Sequence, residues 1–184
     1  MKRSLRTFAV AAALLMGASV CMAEQIDNPQ YKNWAKFKPG TTVTTKTVSD
    51  MGGNKTEMET TTTLVDVAPD KLTLEAKTSM VMQGNKMDMP ANKTEVQAKI
   101  EKPAATAPAA DAPKATTSTE DADAAGTKVK CTVTTMTTTT NGMTINAKTW
   151  TSDEVPGMIV KSESTMDGAM KGTTNITLTA MTKK

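Results

Sequence analysis

KLTLEAKTSMVMQ, residues 71–83, decides the fold class. Leu72, Leu74, Ala76, Thr78, Met80 and Met82 take every second position, and Lys71, Glu75 and Lys77 lie between them. A period of two belongs to a strand with one covered and one solvated face. Working outward, residues 41–49 and 56–67 are rich in Thr and Val, with Asp50-Met51-Gly52-Gly53-Asn54 between them and Ala68-Pro69-Asp70 after them. Branched side chains fit a pleated surface, so both segments are expected as strands. Downstream, Gly84-Asn85 suits a two-residue turn. A return strand is expected over 86–89, interrupted at Pro90 and resumed over 94–100.

The same style returns in the last third of the chain. Strands are expected over 127–140, 143–151, 158–166 and 173–181, separated by Asn141-Gly142, Pro156-Gly157 and Asp167-Gly168. About eight strands in consecutive order predict a mainly β protein, built as a single antiparallel meander sheet curved into a half-barrel. Residues 102–126, KPAATAPAADAPKATTSTEDADAAG, hold almost no large apolar side chain, and are expected to be a disordered insertion within one β domain covering 24–184.

Two segments carry the aromatic residues. In NPQYKNWAKFKPG, residues 28–40, Asn28 can cap a helix and Pro29 suits its first position. Tyr31, Trp34 and Phe37 recur every third residue, so a short helix would lay them on the concave face of the sheet. In KTWTSDEVPG, residues 148–157, Trp150 alternates out of phase with Met143, Ile145 and Ala147. It lies on the opposite face unless a bulge turns it inward. Tyr31, Trp34, Phe37 and Trp150 are the candidate ligand-binding residues.

Residues 1–23 read as a signal peptide: Lys2, Arg3 and Arg6 precede an apolar run from Phe8 to Val20, and Cys21-Met22-Ala23 offers a cleavage site before Glu24. Val20 stands where a lipoprotein leader wants a small residue, which argues against a lipid anchor on Cys21. The protein is therefore expected to be exported, to the periplasm or the cell exterior, with no transmembrane segment after cleavage. The leader holds every arginine in the sequence, and without it 19 lysines balance 19 acidic residues. That balance speaks against a nucleic-acid surface. The sequence has no histidine, and Cys131 is the one cysteine outside the leader. Ser-His-Asp and Cys-His catalysis and ordinary zinc or haem ligation are excluded on composition, and no disulfide can form within the cleaved chain. A non-enzymatic protein without a cofactor is expected.

One cluster suits metal chemistry. In MVMQGNKMDM, residues 80–89, a turn at Gly84-Asn85 would set Met82 opposite Met87 and Met80 opposite Met89. Four thioethers on one face suit Cu(I), so Met80, Met82, Met87 and Met89 are candidate ligands. The plainer reading makes them filling for an irregular apolar surface.

NPQYKNWAKFKPGTTV (28–43), TEMETTTTLVDVAPDKLTLE (56–75) and TWTSDEVPGMIVKSES (149–164) resemble a group of uncharacterised secreted β-rich proteins of planctomycete-type bacteria. The resemblance implies location and a β-rich fold but no activity. The strand carrying Trp150, followed by a turn, a proline and a return strand, is also loosely similar to the LolA-like half-barrels. That likeness implies a curved sheet holding an acyl chain or lipoprotein tail. The sequence thus leads to an apolar-ligand binder, with a Met-rich Cu(I)-binding envelope protein and a structural or interaction module of the envelope as alternatives.

Overall fold

The structure, a computed structural model, describes residues 25–82, 84–102, 114–140, 142–169 and 171–184. The expected leader over 1–23 and residues 103–113 lie outside them. The fold is mainly β, antiparallel throughout, and the sheet does not close.

A short strand β1 (Gln25–Asp27) leads into helix α1 (Pro29–Trp34). The helix starts where the sequence says it should: the Asn28 side chain accepts a hydrogen bond from the Gln30 N–H, and Pro29 fills the first position. The chain then runs through β2 (Thr42–Met51), β3 (Asn54–Val67), β4 (Lys71–Met82), β5 (Asn85–Asp88), β6 (Asn92–Gln97) and β7 (Lys99–Glu101). After residues 103–113 come β8 (Lys114–Ala124), β9 (Thr127–Thr140), β10 (Met143–Thr151), β11 (Ile159–Asp167) and β12 (Gly172–Thr182). The small pair β1–β7 stands apart from a ten-stranded sheet.

That sheet is two meanders sewn together at the middle. One runs β2-β3-β4, with β5 and β6 both on the far side of β4; the other runs β12-β11-β10-β9-β8. The seam is the antiparallel pair β2–β12, from Thr42↔Thr182 to Met51↔Gly172. Hairpin signals read from sequence specify each meander but not the seam, because no local turn joins β2 to β12.

The strand count of the large sheet exceeds eight for two reasons. Pro90 divides the return strand into β5 and β6. The second reason is a correction: the expected disordered insertion over 102–126 contains β8, which pairs with β9 along its whole length from Lys114↔Thr137 to Ala124↔Thr127. Low apolar content suggested disorder there, yet the run Thr116-Thr117-Ser118-Thr119 is pleat-compatible. A two-residue turn closes this hairpin. Ala125 and Gly126 have φ of 53° and 86°, and the Asp123 carboxylate accepts the Gly126 N–H at 2.9 Å. The small Ala122 and Ala124 let β8 press closely on the core, where Ala124 is fully buried.

The apolar layer changes sides along the sheet. On the β2–β6 half, Val43, Leu64, Leu72, Leu74 and Val96 share one face, joined by Leu178 from β12. This first face is the one α1 covers. On the β8–β10 half, Val129, Cys131, Val133 and Trp150 alternate with exposed neighbours. Followed strand by strand, Trp150↔Lys161↔Thr177↔Lys46 puts them on the second face, which carries charged residues on the other half. The sheet coils so that β8 approaches β11 and β12, and its own edge covers this second apolar patch. Irregularities in register fall between Leu64 and Asp66, Ile159 and Lys161, and Leu178 and Ala180. Bulges sharpen local twist and bend the strand, which is how an open sheet curls this far.

The abundance of threonine, 35 residues, has a structural counterpart. Hydroxyls pair across neighbouring strands at Thr44–Thr61, Thr60–Thr78, Thr149–Ser162 and Ser49–Thr174, at 2.9–3.2 Å. Such cross-strand pairs contribute roughly 0.2–1 kcal/mol each where a large apolar core is absent. On the second face Lys46 and Lys55 both reach Glu57, at 2.7 and 2.9 Å. Hydrogen bonds and charge from these two lysines lower the Glu57 pKa to about 2. A carboxyl depressed in the folded state stabilises it above the ordinary carboxylate range. That contribution is lost as pH falls towards 2. NMR titration of the Glu57 carboxyl is expected to give a midpoint far below that of an ordinary glutamate, and Glu57→Gln to flatten the acid limb of the stability profile.

Candidate binding groove

Helix α1 and the loop from Ser152 to Met158 meet over the first face. Asn33, 2% exposed, joins them: its side-chain amide donates to the Asp153 carbonyl at 3.3 Å and its carbonyl oxygen accepts the Gly157 N–H at 2.7 Å. Gly157 has a φ of 79°, and a Cβ there would stand 3.4 Å from the Trp34 ring. Position 157 thus combines a left-handed backbone with a close aromatic neighbour, and both favour glycine. Asn33→Ala is expected to cost about 1–2 kcal/mol, because it leaves the part-buried Gly157 N–H without its acceptor. Chemical denaturation would measure this, and Asn33→Asp, which keeps the acceptor, should lose less.

Beneath this junction is a groove of about 350 Å³. Trp34, Val43, Leu74, Val96, Leu178 and Ile159 form its apolar walls, with Thr45, Thr62 and Thr94 among them. Among the described residues no charged side chain lines it. Other concavities differ in chemistry: one of about 380 Å³ on the second face is lined by Glu59, Lys77, Lys86 and Asp88, and one of about 570 Å³ lies among polar turns near Asp50 and Asp167. From the groove the first face continues along the strands to Thr47, Met58, Met80 and Ile176. On β12, Thr174 and Ile176 are half-buried and Leu178 is buried while Thr173, Asn175 and Thr177 are exposed, so along this strand the first face is the more covered one.

No family model matches the chain, and no curated protein matches it. Among solved structures, that of PNGF-II in a C2 space group is similar with a TM-score of 0.30 and 14% identity. The match covers 78% of this chain but only 28% of that one, so this chain spans little more than a quarter of its length. A likeness at that level bears on neither fold nor function.

The aromatic residues singled out from sequence separate into two places. Trp34, 2% exposed, is the floor of the groove. Tyr31 packs against the core and donates its hydroxyl proton to the Ala68 carbonyl at 2.6 Å. Phe37 lies beyond the helix end and also packs against the core. Trp150 is not with them. It sits on the second face, 6% exposed, with its indole N–H donated to the Glu120 carboxylate. The Lys148 and Lys161 ammonium groups stand 4.3 and 4.9 Å from its ring centroid. Its register explains the out-of-phase spacing: β10 presents Trp150 to the patch under β8, and Met143, Ile145 and Ala147 to the first face. Trp150 is thereby a packed residue and not part of the groove.

The four methionines share one face, as expected, though in another register. Met82 faces Asn85 and Met80 faces Met87, so the turn comes one residue early and every pairing moves by two. A shift of two preserves the face. The Met89 N–H bonds the Thr78 carbonyl at 2.8 Å, which continues the same register. Cys131 is buried beneath β8, and desolvation raises its thiol pKa, which leaves it a packing residue. Sequence reasoning misses two elements: the Asn33 bridge, and Pro156, Gly157 and Ile159 as one side of the groove. A buried asparagine has no sequence signature, whereas the Pro-Gly pair did signal a tight loop.

Proposed function

We propose that this is an exported, non-catalytic protein that holds an apolar ligand, an acyl chain or lipoprotein tail, in the groove under α1. The observation that supports it most is the combination of an uncharged apolar lining with a floor of fully packed Trp34. A volume near 350 Å³ falls within the range of about 300–1,000 Å³ usual for small-ligand sites. The threonines among the walls can accommodate a polar head group, and the apolar walls an acyl chain. Export to the periplasm or the cell exterior, and the likeness to secreted β-rich proteins, belong to this reading on the strength of the sequence. So does the absence of catalysis, which rests on a sequence without histidine.

Native mass spectrometry of protein purified without detergent from its own cells tests the proposal. A lipid-sized added mass is expected, and a fluorescent fatty acid should compete for the same place. Thr62→Glu puts a carboxylate on the half-covered groove wall without excavating the core, and should abolish both. A bare polypeptide mass with no fatty-acid binding would overturn this reading in favour of a structural or interaction module of the envelope.

A further inference from the structure

The register of three adjacent strands places Met58, Met80 and Met87 in a single row. Met58 on β3 is directly opposite Met80 on β4, and Met80 is directly opposite Met87 on β5. Directly opposed residues have Cβ atoms about 4.5–5.5 Å apart, and methionine has three rotatable bonds with which to turn its sulfur inward. Met82 and Met89 flank the row on the same face. From this juxtaposition we infer that Met58, Met80 and Met87 form a three-thioether site for a soft monovalent d¹⁰ cation, Cu(I) or Ag(I).

Three further observations favour a metal over plain packing. Met58 and Met80 are half-buried and Met87 is 54% exposed, so the row does not fill a closed core. The row lies on an edge, where among the described residues β5 has no neighbour beyond it in the sheet, so an ion can reach it from solvent. The surrounding donors are neutral. Thr47 and Thr78 neighbour the row on the first face, whereas Lys46, Glu57, Glu59 and Lys86 project from the second. Neutral thioethers neither offset the charge of a divalent ion nor suit a hard one, and among the described residues no cluster of His, Cys, Asp and Glu competes for a metal. Met58 was not among the four methionines chosen from sequence; it lies on a different hairpin, and only the pairing of β3 with β4 brings it in.

The site rests on strand register, independently of any occupant of the groove. Ag(I) is the probe, because it needs no reductant. In protein labelled at the methionine methyl carbons, one equivalent of Ag(I) is expected to shift the Met58, Met80 and Met87 signals together while Met136 and Met166 stay in place. Native mass spectrometry should show one bound ion, lost when all three residues are changed to leucine. Leucine keeps the apolar volume, so a merely packed row would tolerate the change without consequence. An absent or evenly distributed methyl shift would overturn the proposal, as would one-ion uptake that survives the triple substitution. Should the triple variant fail to fold, Met87→Leu alone, at the exposed edge, serves the same comparison. Thr62→Glu is expected to leave Ag(I) uptake unchanged, which separates failure of this site from failure of the groove.

Discussion

Trp34→Ala is expected to destabilise the protein by about 3–5 kcal/mol. The indole is 2% exposed and belongs to the continuous core with Val43, Leu72, Leu74 and Leu178. Its truncation opens a cavity where α1, the first face and the loop from Ser152 to Met158 meet, and the Asn33 bridge prevents that junction from collapsing freely. Domains of this size are stable by only about 5–15 kcal/mol, so the loss is a large share of the total. Urea denaturation should show a lower midpoint. Trp34→Phe, which keeps most of the apolar surface, should lose less than half as much. A loss below 1 kcal/mol for the alanine variant would mean that α1 is not anchored through Trp34. Retention of a fatty acid is expected to fall with the alanine variant and to persist in the phenylalanine one.

Trp150→Ala is expected to cost a similar amount, about 3–5 kcal/mol, through a different route. Trp150 is the largest side chain in the patch that β8 covers, beside Val133 and Cys131. Removing it uncovers that patch, leaves the Glu120 carboxylate without its indole donor and takes the ring away from the Lys148 and Lys161 ammonium groups. Lys148 also reaches Glu120 at 3.8 Å, so the charges retain one another and the loss is mainly one of packing. Trp150→Phe separates the contributions. It keeps a ring under the lysines and removes the N–H, and should cost about 1–2 kcal/mol. Hydrogen exchange gives the sharper readout: amides of β8 should lose protection in the alanine variant while those of β3 and β4 keep theirs. Equal loss in both halves would refute a separate role for this patch.

Much of the fold was legible because the chain repeats one simple instruction. Alternation in residues 71–83 and turns rich in glycine specify hairpins, and each hairpin is a local decision. The expected strands over 127–140 and 143–151 match β9 and β10 to the residue. What sequence patterning misreads is whatever depends on distant partners. β8 carries few large apolar residues, yet its small Ala122 and Ala124 pack on the core where β8 approaches β11 and β12. The out-of-phase position of Trp150 was visible, but its meaning depends on the core changing faces between β12 and β10. The four methionines were placed on one face correctly, while their pairing depends on a turn whose position sequence leaves open by a residue. Tyr31, Trp34 and Phe37 are legible as a cluster, and only Trp34 emerges as groove lining, because the helix ends before Phe37 and Tyr31 is turned to the Ala68 carbonyl.

The seam between β2 and β12 sets an order of events during folding. Each meander consists of hairpins between near neighbours and can assemble quickly, whereas the seam joins residues 42–51 to residues 172–182, across most of the chain. Long-range pairing of this kind carries a large loop-closure cost and forms late. Until it forms, β2 and β12 are bare edges with open backbone groups, ready to capture a strand from another molecule. The central pair is therefore the last lock of the structure and the place where a nascent or partly unfolded chain is most exposed to mispairing.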